Sequence, residues 1–141
     1  MEPYINIPKI DINLADSTTF DSLPGIGPYF AQKMVEYRGR LGSYSYKEQL
    51  MDIYRFDSEK LESLKDLIFL DPQYIKPYPL WTLPEDSLKL HPYIGSFAAS
   101  GIVLFRENNS RDKWKISELI SSGIIKDEFG DKLSKISIED F

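Results

Sequence analysis

Leu23-Pro24-Gly25-Ile26-Gly27-Pro28 is the stretch that decides the fold of this 141-residue chain. Gly25 and Gly27 allow a turn with positive φ, which a β-carbon would resist. Pro28 suits the first helical position, where its missing N–H costs nothing. The stretch therefore predicts a tight hairpin between two short helices, over 16–23 and 28–40. At the start of the second helix, unpaired N–H groups and the positive end of the helix dipole favour a phosphate or carboxylate oxygen.

Composition excludes several classes of function. The chain is 42% hydrophobic, which supports a packed core, and it has no cysteine, which excludes disulfides and zinc–thiolate sites. His91 is the single histidine. The sequence has no catalytic triad, no His-based metal cluster and no Gly-rich phosphate loop after a strand. We therefore predict that the chain is not an enzyme, with no catalytic residue, no metal ligand and no cofactor.

The sequence predicts no membrane contact by this segment itself. No apolar run reaches the roughly 18–20 residues that span a bilayer. Met1-Glu2-Pro3 lacks the basic and apolar regions of a signal peptide, although such an abrupt start is also expected of a piece of a longer protein. The net charge of −5 counts against a strong electrostatic grip on nucleic acid, so any DNA-binding face has to be a local patch.

The sequence predicts an extended segment before the two hairpin helices and two further helices after them. An extended lead-in over 4–15 precedes the hairpin, and capping-box spacing in Ser45–Glu48 starts a third helix over Lys47–Tyr54. Asp57 or Ser58 caps a fourth helix, in which leucines and Ile68 recur at helical spacing. Ile53–Asp57, between the third and fourth helices, occupies the place of a second hairpin but has no glycine.

The second half of the chain repeats the first. Residues 91–99 align with residues 23–31, which places Gly95 on Gly27, and a capping box at Thr82-Leu83-Pro84-Glu85 precedes the repeat. We predict an all-α fold of two tandem helix-hairpin-helix units, with about eight short helices and no substantial sheet. The expected domains are a first unit over 1–70, a Pro/aromatic connector over 71–81, and a second, degenerate unit over 82–141.

Three segments carry a resemblance to a known family: Asp11-Ile12-Asn13-Leu14-Ala15, Leu23-Pro24-Gly25-Ile26-Gly27 and Val35-Glu36-Tyr37-Arg38. They resemble the helix-hairpin-helix domain of bacterial ComEA-type competence proteins, well over 11–68 and more loosely over 80–138. The resemblance implies a non-catalytic, sequence-independent binder of double-stranded DNA that acts in DNA uptake. It also implies a location outside the cytoplasmic membrane, behind an anchor that a longer chain before Met1 would supply.

Carried onto this chain, the resemblance assigns phosphate contacts to the N–H groups of Gly25, Ile26 and Gly27, and to Gly95 in the second copy. Backbone donors carry no sequence information, which fits sequence-independent binding. Lys33, one turn past the hairpin, either meets a neighbouring phosphate or is a plain solvated lysine. Related hairpins often hold a monovalent cation on their carbonyls, and the sequence leaves this open.

The alternative function is a protein-interaction or scaffold module that kept the fold and lost the DNA-binding face. Tyr29 and Phe97 each lie two residues after the last glycine of their hairpin, and we call them the aromatic shoulders. Exposed aromatic rings there would suit a protein partner. Core packing is the other interpretation of both rings. Arg38 and Arg106 recur at the same place in the two copies, where we expect them to cap carbonyls or to pair with an acid between helices rather than to contact DNA.

Overall fold

The computed structural model describes residues 9–140, which divide into two compact units. The first unit contains the residues up to Gly39 together with Ser43–Ile75. The second contains Arg40–Gly42 and the residues from Lys76 onward, so the division after Ile75 falls inside the predicted connector. Within residues 9–140 there are seven α-helices, three short 3-10 helices and one two-stranded sheet. The all-α fold class is confirmed.

The first unit is built around its hairpin helices. The helices are α1 (Ser17–Asp21), α2 (Gly27–Leu41) and α3 (Ser58–Leu64), with 3-10 helices at Lys47–Asp52 and Pro72–Tyr74. Two-residue strands β1 (Ile10–Asp11) and β2 (Ile68–Phe69) pair in parallel, with Ile10 opposite Ile68. The buried apolar residues of this unit are Ile12, Ala15, Phe20, Leu23, Ile26, Ala31, Met34, Tyr44, Leu50, Ile53, Phe56, Leu64 and Ile68.

Within residues 76–140, the second unit contains four α-helices and one 3-10 helix. Its helices are α4 (Glu85–Leu88), α5 (Gly95–Asn108), α6 (Ile116–Ser121) and α7 (Asp127–Ser134), with a 3-10 helix at Arg111–Lys113. Tyr78 and Ile138 form an isolated parallel bridge. The buried apolar residues of this unit are Leu41, Tyr78, Leu80, Trp81, Leu88, Tyr93, Ala98, Ala99, Ile102, Phe105, Leu119, Ile125 and Leu133. Within residues 9–140, no helix combines the length and apolar character needed to cross a bilayer.

The predicted third helix is wrong in type and extent. Residues Lys47–Asp52 form a 3-10 helix, and Ile53 is already extended with ψ 131°. The Oε1 atom of the buried Gln49 side chain accepts the amides of Ser45 at 2.6 Å and Tyr46 at 3.2 Å, just before this helix. A capping bond is thus present, but it comes from Gln49 rather than from the predicted Ser45–Glu48 pattern.

Two other helix predictions need correction. Asp57 caps α3 as predicted, through its carboxylate and the Lys60 amide at 2.8 Å. However, α3 ends at Leu64, and Ile68 lies in β2, where pairing with β1 outweighs the helical spacing. The predicted Thr82 capping box is absent, because α4 begins at Glu85 and is led by Pro84, which has no side-chain donor or acceptor. The lead-in prediction for residues 4–8 lies outside the described residues.

Candidate nucleic-acid interface

The first hairpin joins α1 to α2 through two glycines in the left-handed region. Gly25 has φ +77° and Gly27 has φ +67°, as the sequence predicts. A β-carbon built on either glycine would find no atom within 4 Å. Glycine is therefore favoured at both positions by the positive φ and not by lack of space for a side chain. The space around the two Cα atoms is open.

The amides of this hairpin are only partly used inside the protein. The Ile26 N–H donates to Leu23 O at 3.2 Å, and the Ile26 side chain is buried. The amides of Gly25 and Gly27 have no acceptor among residues 9–140. Because Gly27 opens the 15-residue helix α2, its N–H lies at the positive end of the helix dipole. The hairpin thus offers two free donors to an anion, where the sequence predicted three.

Lys60 brings a positive charge to the hairpin, which sequence reasoning missed. Its ammonium Nζ donates to Gly25 O at 2.8 Å and lies 4.6 Å from the centre of the Phe30 ring. The Asp57 cap fixes the Lys60 backbone in the first turn of α3. The lysine is 35 residues from its partner in sequence, so no local pattern could have identified it. This ammonium occupies one of the two acceptor positions of the Gly25 carbonyl.

Lys33 lies on α2, one turn past the hairpin. Its Nζ is 3.4 Å from Glu36 Oε2 and 5.6 Å from the centre of the Tyr29 ring. Both partners of the ion pair are well exposed, and such pairs contribute about 0–1 kcal/mol. A phosphate can therefore compete for Lys33, and its phosphate contact stays a prediction.

The second hairpin has the same backbone shape but uses its amides internally. Gly95 has φ +75°. Its N–H donates to His91 O at 3.3 Å, and that carbonyl also accepts the Ile94 N–H at 3.0 Å. The Tyr93 N–H donates to His91 Nδ1 at 3.1 Å. Gly95 is therefore a weaker donor to a phosphate than Gly27, and its phosphate contact stays a prediction.

His91 is a structural residue of this second hairpin. The ring is buried between Tyr78 and Tyr93, with ring centres 4.6 Å and 5.1 Å away. Because Nδ1 accepts a hydrogen bond, the neutral ring carries its proton on Nε2, which has no partner among the described residues. Burial lowers the pKa of His91 from 6.5 to about 4. The histidine is thus held neutral at ordinary pH.

The two repeated arginines cap carbonyls, as the sequence predicts. Arg38 Nη1 donates to Ile12 O at 3.0 Å and to Ala15 O at 2.6 Å. Arg106 Nη1 lies 3.4 Å from Leu80 O. In each unit the arginine and its acceptor are 26 residues apart. These side chains anchor the chain that leads into each hairpin, and they are not free for DNA.

Both aromatic shoulders are exposed, so core packing is excluded for them. Tyr29 is 55% exposed and Phe97 is 79% exposed. Each ring sits within the first three residues of its helix, α2 or α5. Among residues 9–140, no cluster of three or more His, Asp or Glu side chains could hold a metal ion.

Comparison with known proteins identifies the motif of the first unit. Residues 5–69, less than half of the chain, match the family model described as a helix-hairpin-helix motif. Motifs of this kind are commonly associated with non-specific DNA binding and typically act as binding modules rather than catalysts. No curated protein and no solved structure matches the chain.

Proposed function

We propose that the chain binds double-stranded DNA without sequence preference, through a phosphate held by the amides of Gly25 and Gly27. The observation that carries the proposal is that these two amides are free, at the N-terminus of α2, in the motif that the family model matches. A phosphate oxygen is the ligand that such a helix end favours. The Lys60 ammonium, 2.8 Å from Gly25 O, supplies a positive charge beside these amides.

We propose further that the two units are tandem copies of one motif, over the predicted domains 1–70 and 82–141. Features that recur 68 residues apart support this: positive φ at Gly27 and Gly95, and again at Arg55 and Gly123. The Arg38 and Arg106 caps have the same spacing. In this proposal, the first copy contacts DNA and the second is chiefly structural, because the Gly95 amide is used internally.

More specifically, we propose that the chain binds DNA during DNA uptake, as ComEA-type proteins do. This proposal rests on the resemblance of residues 11–68 to that family. In such a role, the net charge of −5 has a direct consequence. Binding is expected to be weak and confined to a few phosphates, because the rest of an acidic surface repels the duplex.

A salt titration tests the proposed function. The chain is titrated against a fluorescently labelled random-sequence duplex, with anisotropy as the signal, at several salt concentrations. Each phosphate engaged is expected to contribute a slope of about −0.9 in log K against log salt. Two unrelated duplex sequences should give equal affinities. Absence of binding even at the lowest salt would refute the proposal.

Substitution of Lys60 tests the charge at the hairpin. Lys60→Met is expected to weaken duplex binding about fivefold, because it removes a positive charge beside the phosphate that is worth roughly 1 kcal/mol in water. Lys47→Met is the matched control, because Lys47 Nζ donates to Lys65 O at 2.9 Å in the same unit but does not bond the hairpin. Urea titrations should show similar stability losses in the two variants. Equal DNA affinities in the two variants would contradict a role for Lys60 in binding.

The second candidate function is a protein-interaction module, favoured by Phe97. This ring stands 79% exposed at the rim of an open depression of about 140 Å³ in the second unit. The depression is lined mostly by apolar side chains, namely Tyr93, Ile94, Phe97, Ala98, Ile124, Ile125, Lys126 and Phe129. If the chain binds no duplex at low salt, this surface becomes the leading candidate. If it does bind, Phe97→Asp is expected to leave duplex affinity unchanged.

A further inference from the structure

An open depression of about 420 Å³ lies next to the first hairpin, in the first unit. It is lined by Tyr29 and Phe30 from α2, and by Tyr54 and Arg55 from the turn before α3. We refer to these four residues as the aromatic face. Tyr29 is 55% exposed and Tyr54 is 73% exposed.

The turn that presents Tyr54 is rigidly anchored. Arg55 adopts φ +67°, which is costly for a residue with a β-carbon. Ile53 and Phe56, on either side of the Tyr54-Arg55 pair, are buried, and the Phe56 N–H donates to Ile53 O at 2.9 Å. Phe56 also packs edge-on against Phe30, with ring centres 5.8 Å apart. The backbone that presents Tyr54 and the ring of Phe30 are therefore held in place before any ligand arrives.

Cations surround the rings of the aromatic face. The Arg55 guanidinium lies 5.3 Å from the Tyr54 ring centre. The Lys60 ammonium lies 4.6 Å from Phe30, and the Lys33 ammonium lies 5.6 Å from Tyr29. Aromatic rings bordered by cations suit a ligand with flat π-faces and a negatively charged backbone, which describes unpaired nucleic acid. A purely apolar protein segment would have to desolvate these charges without compensating them.

We propose that the aromatic face stacks on unpaired nucleobases of a single-stranded DNA segment adjoining the phosphate at Gly25 and Gly27. This inference rests on the proposed function, because the same hairpin holds the phosphate. In an intact duplex the base faces are stacked inside the helix and cannot reach Tyr29 or Tyr54. The chain therefore binds duplexes with a single-stranded overhang more tightly than blunt duplexes.

Overhang and blunt duplexes of the same sequence provide the test. The full chain is titrated against both by anisotropy, and against an overhang that carries 2-aminopurine, whose fluorescence falls on stacking. Tyr54→Ala is expected to weaken overhang binding at least about fivefold, the equivalent of ~1 kcal/mol for one stacked base. It should leave blunt-duplex affinity unchanged. Tyr54→Phe keeps the ring and is expected to retain the overhang preference and the 2-aminopurine quenching.

Tyr74→Ala is the matched control, because Tyr74 is a 37% exposed tyrosine of the same unit that does not line the depression. It should change neither affinity. Equal binding of overhang and blunt duplex by the wild-type chain, or an overhang affinity unchanged by Tyr54→Ala, overturns this inference while leaving the proposed function standing. The face would then be free for a protein partner. Failure of the wild-type chain to bind either duplex overturns the proposed function and this inference with it.

Discussion

Gly27→Asp is expected to reduce duplex DNA binding at least about tenfold more than Gly27→Asn does. The carboxylate introduced by Gly27→Asp and a phosphate 4 Å apart would repel by roughly 4 kcal/mol at an effective dielectric constant of 20. A loss of about 1.4 kcal/mol, a third of that repulsion, already lowers the affinity tenfold. Asp and Asn have the same shape and both tolerate positive φ, so they strain the backbone equally. A β-carbon at Gly27 meets open space. The charge is thus the difference between the two variants.

Two controls accompany this prediction. The helical circular-dichroism signal of both Gly27 variants should match that of the wild type. Gly95→Asp places the same carboxylate at the same φ in the second hairpin, where the amide is bonded to His91 O. It is expected to lose much less affinity than Gly27→Asp. If Gly27→Asp binds the duplex as tightly as Gly27→Asn does, the hairpin is not part of the binding site.

The second unit is expected to lose roughly 3 kcal/mol of stability as the pH falls from 6.5 to about 4. Burial lowers the pKa of His91 in the folded state, so the unfolded chain binds the proton more readily. The stability that the neutral His91 ring provides is fully present above pH 6.5, the pKa of the unfolded chain. It is lost as the pH falls to the folded-state pKa of about 4. Protonation would also place a proton on Nδ1, which accepts the Tyr93 N–H.

Urea titrations followed by tryptophan fluorescence measure this loss. Both tryptophans, Trp81 and Trp114, belong to the second unit and so report on its unfolding. His91→Asn is the matched control, because the Asn side-chain oxygen can accept the N–H two residues on without titrating. The variant should be less stable at neutral pH but have a shallower pH dependence than the wild type. Identical pH dependence in the two proteins would show that His91 is not responsible.

The parts of the fold that follow from local chemistry could be predicted from the sequence. Two glycines and a proline within six residues specify the hairpin, since few other residues adopt its backbone angles. The Asp57 cap was also predictable, because its side chain bonds the start of the helix that follows it. The arginine caps were predictable because the two arginines recur at the same position in both halves. These predictions needed no knowledge of distant contacts.

The remaining features depend on contacts between segments far apart in sequence. Arg55 adopts the left-handed conformation that usually requires a glycine, and the buried Ile53 and Phe56 hold the turn on both sides of it. Ile68 leaves the helical pattern because Ile10, 58 positions earlier, pairs with it. Lys60 reaches Gly25 across 35 residues. No local propensity carries this information.

The second hairpin illustrates the limit of a sequence match. Gly95 has nearly the same φ as Gly27, so alignment treats the two as equivalent. Their amides differ, because His91 supplies a carbonyl and a ring nitrogen that accept the hairpin N–H groups. Among the described residues, the carbonyl of Leu23, at the position aligned with His91, accepts only from Ile26, and the leucine side chain has no acceptor. In the second hairpin the His91 ring thus takes the Tyr93 amide, and the His91 carbonyl takes the Gly95 amide.

Amide chemical shifts test the central claim most directly. The ¹⁵N-labelled chain is titrated with a random-sequence duplex, and the shift of every backbone amide is followed. The amides of Gly25 and Gly27 are expected to move most, while the internally bonded Gly95 amide stays nearly unchanged. If Gly25 and Gly27 stay still while amides of the second unit move, the phosphate is not held by the first hairpin.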